Sequence, residues 1–145
     1  MGKDEILTLI DQLNWIHPQE LQQETIRLLT QIEDKYVGLL IQDMKKETWE
    51  NAVIVLEKIG FPRNKEALPK MIFLLQDINW PGALQAVDIL KKIDPIYWIH
   101  YVEQAILESD PQWMYGIHYL LEKANVTEDM MNKGVYLKMK QVLEE

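Results

Sequence analysis

The sequence has no cysteine. That excludes disulfides, thiolate nucleophiles and cysteine-based zinc sites together. Its six glycines are scattered at corners, so no glycine-rich loop is there to cradle a phosphate. Nucleophile-elbow and His-Glu-x-x-His strings are missing as well. Apolar runs are short. The longest, such as Met71-Ile72-Phe73-Leu74-Leu75, fall far below the length a bilayer demands. Positive charge is in deficit, with 15 basic side chains against 23 acidic ones and a formal charge of -8. Such a chain repels phosphate backbones and anionic lipid, so neither nucleic acid nor a membrane is expected as partner. Met1-Gly2-Lys3-Asp4-Glu5-Ile6 carries charge where an export signal needs an apolar run. Ile6 stands where a myristoylation signal wants Ser or Thr. A cytoplasmic location is the expectation.

What is present is helical periodicity and a recurring phrase. Leu56-Glu57-Lys58-Ile59, Leu90-Lys91-Lys92-Ile93 and Leu121-Glu122-Lys123-Ala124 each close an amphipathic run, and a turn-tolerant residue follows each: Gly60, Asp94 or Asn125. Leu56 and Leu90 are 34 residues apart, and Leu90 and Leu121 are 31 apart. Leu29-Thr30-Gln31-Ile32 is a weaker copy, 27 residues before Leu56. Two helices per repeat of this length indicate an α-solenoid. The pattern predicts an all-α fold of about nine antiparallel-stacked helices in a right-handed α-α superhelix, one domain over residues 1–145. The alternative is a closed helical bundle.

The expected helices begin near Asp4, Pro18, Lys35, Glu47, Asn64 or Ala67, Trp80, Pro95, Asp110 and Thr127. Gly60 is expected as an αL stop, and Asn64 as an N-cap. Asp110-Pro111 is a strong start signal, an acceptor followed by proline at the first helical position. The third helix places Val37, Leu40, Ile41 and Met44 inward. The last runs from Thr127 to Glu144 with Met131, Val135, Met139 and Val142 on one stripe.

Leu68-Pro69-Lys70-Met71-Ile72-Phe73-Leu74-Leu75-Gln76-Asp77-Ile78-Asn79-Trp80-Pro81-Gly82-Ala83 resembles the signature of a small bacterial family, a domain of unknown function built of HEAT-like helical repeats. The likeness is strong over residues 47 to 125. Before that it is carried only by Asp11-Gln12-Leu13-Asn14-Trp15, which echoes Gln76-Asp77-Ile78-Asn79-Trp80. The resemblance implies an α-α superhelix and no reaction. A role as immunity partner of a bacterial toxin follows only by analogy of fold.

Candidate sites fall in three groups. Asp77, Asn79 and Trp80 form a corner that suits a ligand. Helix capping by Asn79 and packing of Trp80 between the fifth and sixth helices explain the same residues. Tyr97, Trp98, Tyr101, Trp113, Tyr115 and Tyr119 lie within 23 residues, either as a second core layer or as a binding surface. Aligned helix ends put Arg27, Ile54, Asp88 and Tyr119 in one column, with Glu24, Asn51, Gln85 and Gly116 in the next. In a HEAT-like stack these columns tile the inner groove. Tyr115, His118 and Glu122 extend that groove.

From Asp94 to Asp129 seven acids face one base, Lys123, which favours a basic protein or peptide as partner. The expected function is therefore non-enzymatic binding by a monomer or weak homodimer, with no catalytic residue, metal or cofactor. The alternative is a small-molecule or carbohydrate site, in a binding protein or an enzyme, on the aromatic cluster 97–119 with His100, His118 and Glu103 or Glu122. A di-iron reading fails, because Tyr97 and Tyr115 stand three residues before the two histidines where Glu is required.

Overall fold

A computed structural model describes residues 1–108 and 110–144. Ser109, a candidate end of the seventh expected helix, and Glu145 lie outside the described residues. Among the described residues every regular element is helical, and none is a strand. The α-helices are α1 (Lys3–Asp11), α2 (Gln19–Leu29), α3 (Lys46–Ile59), α4 (Leu68–Phe73), α5 (Ala83–Leu90), α6 (Ile99–Leu107), α7 (Pro111–Lys123) and α8 (Lys133–Leu143). A six-residue 3-10 helix, Asp34–Leu39, stands between α2 and α3 and completes nine helical segments. Four shorter 3-10 turns extend the starts or ends of neighbouring helices.

The helix starts follow local chemistry. The Asp110 carboxylate accepts hydrogen bonds from the Gln112 and Trp113 N–H groups, and Pro111 opens α7. Asp94 accepts from the Ile96 N–H beside Pro95 in the same way. Pro69 is accommodated in the first turn of α4, where its missing N–H costs nothing.

Several expectations are corrected by tertiary contacts. The third segment is 3-10 rather than α, and it stops at Leu39. Its Val37, Leu40 and Ile41 are buried as expected, but Met44 is 94% exposed with φ +65°. Asn64 does not cap the helix that follows it. Its amide is buried and donates to the Leu56 carbonyl at 3.1 Å, closing the end of α3. Gly60 ends α3 at φ +78° and ψ 162°, a glycine-only region rather than αL. The last helix begins at Lys133, with Asn132 as its N-cap; Thr127 caps only the 3-10 turn Glu128–Met130.

Packing proceeds along the chain. α2 lies on α3, α3 on α5, and α5 on α7. On the other side, α4 lies on α6 and α6 on α8, while α8 also touches α7. The leucines of the repeated phrase, Leu29, Leu56, Leu90 and Leu121, are all buried. Indoles secure the helix ends. Trp98 is fully buried and its Nε1–H reaches the carbonyls of Leu90 and Ile93, both at 3.1 Å. Trp49 donates to Gln42 at 2.7 Å, and Trp113 donates to Ile72 at 3.0 Å. An indole suits this place because it buries a large apolar body and carries one donor for a backbone carbonyl near a helix end.

Gly116 sits in very close contact with backbone. A Cβ built there would stand 2.0 Å from the Leu75 carbonyl oxygen and 2.9 Å from its carbon. Only glycine lets α7 approach the backbone of the Leu74–Gln76 turn this closely. No helix among the described residues is long and apolar enough to cross a membrane.

Candidate functional site

The first column separates cleanly by helix. Arg27 is on α2, Ile54 on α3, Asp88 on α5 and Tyr119 on α7, four helices that pack in that order. Arg27 and Asp88 are exposed, and Ile54 and Tyr119 are half-buried. The charges are already met locally. Arg27 grips Glu24 through two hydrogen bonds of 2.5 and 3.0 Å. That bonding holds the Glu24 carboxyl below its ordinary value and raises Arg27. Asp88 pairs with Lys91 at 3.2 Å, and Lys123 Nζ stands 5.3 Å from the Tyr119 ring centre.

The second column is split: Glu24 is exposed and Gln85 half-buried, while Asn51 and Gly116 are buried. Asn51 is buried and donates to the Leu13 carbonyl at 2.7 Å and to Gln22 Oε1 at 2.9 Å. Gly116 is consumed by the contact with Leu75. The repeat alignment could not show that these two positions face neighbouring backbone and side chains.

The corner residues take different roles from those expected. Asn79 is exposed and caps nothing; Asp77 Oδ1 instead accepts from the Asn79 N–H at 2.9 Å, an Asx turn. The same turn recurs at Asn14, whose Oδ1 accepts from Ile16 N–H at 2.9 Å. Trp80 is half-buried, and its ring meets side chains of α3 and α4. Its ring centre lies 5.3 Å from Trp49 and 5.9 Å from Phe73, with Lys46 Nζ 5.1 Å away.

The aromatic cluster 97–119 is dispersed by the fold. Tyr97 meets Phe61 with 4.9 Å between ring centres, and Lys65 lies over it. Trp98 is core. Tyr101 and Trp113 border a small cleft of about 180 Å³ beside α6. His100 lies beside Tyr101 with the rings tilted by 41°, and Glu103 accepts the Asn132 N–H at 2.6 Å, anchoring the start of α8. Contiguity in sequence misled here, because successive helices aim these rings in different directions.

Tyr115, His118 and Glu122 do converge. They share one face of α7, and they border a cavity of about 420 Å³ between α7 and α8. Buried Leu121, Met131 and Met139 form its floor, and half-buried Val126, Tyr136 and Leu143 its walls. The rim is charged: Glu122, Glu128 and Glu144 against Lys140. His118 Nε2 stands 3.6 Å from Glu122 Oε1. Lys140 Nζ stands 5.9 Å from the Tyr136 ring centre. The α8 contribution was missed because its stripe read as a simple terminal cap. Tyr136, beside that stripe, was the available signal.

The acidic stretch is also less isolated than its sequence implies. α8 carries Lys133, Lys138 and Lys140, and Lys138 Nζ donates to the Leu107 carbonyl at 3.3 Å. Among the described residues no three His, Asp or Glu side chains converge as a metal site would need. No protein-family model, curated protein or solved structure matches the chain.

Proposed function

We propose that the chain is a non-enzymatic interaction module, a short HEAT-like superhelix that binds a protein or peptide along the row α2, α3, α5 and α7. The observation that carries this reading is the first column: Arg27, Ile54, Asp88 and Tyr119 stand on four successively packed helices, and none of them is buried. A polar row with isolated apolar and aromatic members matches the composition of binding surfaces. The partner is basic, drawn by the chain's excess of 23 acidic over 15 basic side chains. The likeness to bacterial HEAT-like repeats belongs to this reading, as does a cytoplasmic location. An immunity-type role toward a bacterial toxin rests on fold analogy alone.

The test is selection of a displayed random peptide library on the intact protein. Enrichment in Lys and Arg is expected, with binding that weakens as salt rises and falls in Tyr119→Ala and Asp88→Lys. Selected peptides that bind both variants like the parent, without salt dependence, overturn the reading. A second reading, a small-molecule site, is favoured by one observation: the α7–α8 cavity falls within the size range of ligand pockets, about 300–1,000 Å³. Its enzymatic form is weakened because His100 does not border that cavity and Glu103 is engaged by Asn132.

A further inference from the structure

We propose that the cavity between α7 and α8 is a binding site for a small amphiphilic amine, an ammonium group on an apolar body. Three features of the cavity select that chemistry. Its floor is Leu121, Met131 and Met139, which favours an apolar body, and methionine adapts its shape to varied occupants. Its rim carries three carboxylates, Glu122, Glu128 and Glu144, against the single ammonium of Lys140. An anionic ligand of the same shape meets like charge there, and a neutral one gains nothing from the carboxylates. Finally, the Tyr136 ring already faces a cation, since Lys140 Nζ lies 5.9 Å from its centre. A ligand ammonium between the tyrosine rings and the carboxylates repeats a contact the protein makes with itself.

This site is separate from the row of the proposed peptide surface. Of the groups named for that surface, none of Arg27, Ile54, Asp88 and Tyr119 borders the cavity.

The probes are 4-phenylbutylamine, 4-phenylbutan-1-ol and 4-phenylbutyrate, which share one apolar body and differ in charge. Binding is read by NMR on protein labelled at its methionine methyls. The amine is expected to shift Met131 and Met139 while leaving exposed Met44 and core Met71 unmoved. It should bind roughly tenfold more tightly than the alcohol, as expected for a cation near aromatic rings and carboxylates. The butyrate should not bind measurably. Glu122→Gln combined with Glu128→Gln, both at exposed positions, should erase the amine's advantage over the alcohol. Asp88→Lys should leave amine binding unchanged, even where it abolishes peptide binding. The proposal is overturned by equal binding of all three probes, by shifts spread over Met44 and Met131 alike, or by an amine preference that survives the double variant.

Discussion

The two sides of α7 are built to opposite rules. On one side Gly116 brings the helix against the backbone of Leu75, with no room for even a methyl group. On the other, Tyr115, His118 and Glu122 face α8 across about 420 Å³ of space. α8 itself buries only Met139 fully, and it is tied at its start by Glu103 to Asn132 and at its middle by Lys138 to Leu107. A single helix therefore serves as core element and as wall of a cavity. The difference teaches where the molecule spends its packing: the contact with the central turn defines the stack, while the contact with the terminal helix leaves volume for something else.

The largest effect should come from filling the tight side. Gly116→Ala removes the helix penalty of glycine, worth about 0.5–1 kcal/mol. Against that gain, the new Cβ meets backbone atoms that cannot rotate away. Overpacking of this kind should cost about 3 kcal/mol or more, so the steric term wins. Urea denaturation measures it. A Gly116→Ala variant as stable as the parent breaks the comparison at its first term.

On the loose side, Met139→Ala is the matching truncation. Fully buried large-to-small changes cost about 2–5 kcal/mol, the spread reflecting how well the site collapses. α8 has few buried neighbours holding it and can settle toward α7, so the loss should fall near the lower end, about 2 kcal/mol. Amide exchange should be faster in α8 than in α7 for the same reason. Slower exchange in α8 would mean that its contact is the firmer of the two.

Much of the fold was legible in the sequence, whereas the contrast across α7 was not. The repeated leucine at each helix end marked Leu29, Leu56, Leu90 and Leu121 as core, because amphipathic spacing depends only on nearby residues. The starts at Asp94 and Asp110 were legible for the same reason. The roles of Asn51, Asn64 and Gly116 were not, since each is set by a partner 38, 8 or about 41 residues away along the chain. The Asp34–Leu39 segment was misread as α because its buried residues fit either helix type over so few turns. Of the candidate site, Tyr115, His118 and Glu122 were identified from one helix face. The matching wall from α8 was missed, because no local rule reports a space between two helices.

A smaller change tests what both sides share. Asp110 accepts two N–H groups at the start of α7 and so fixes where the helix begins. Asp110→Ala should cost about 1 kcal/mol through loss of the cap. The effect should be the same in the Gly116→Ala and Met139→Ala backgrounds, since the cap contacts neither site. Strong non-additivity with only one of them would show that the helix start is coupled to that face.

The smallest expected effect is the most discriminating. Tyr115 is 61% exposed, yet it borders the cavity. Where the space between α7 and α8 is a site rather than a packing layer, Tyr115 holds up nothing, and Tyr115→Ala should change stability by no more than about 0.5 kcal/mol, as surface substitutions do. Alanine's slightly better helix propensity pushes the same way. The variant should nevertheless weaken binding of 4-phenylbutylamine, because it removes one aromatic wall. Stability and binding thus move independently here, whereas at Gly116 the expected effect is on stability. A loss above about 1 kcal/mol in Tyr115→Ala would instead mark the ring as a packing element, since such values need a buried or specific mechanism. The two sides of α7 would then differ only in degree, and the cavity would lose its claim as a place prepared for a ligand.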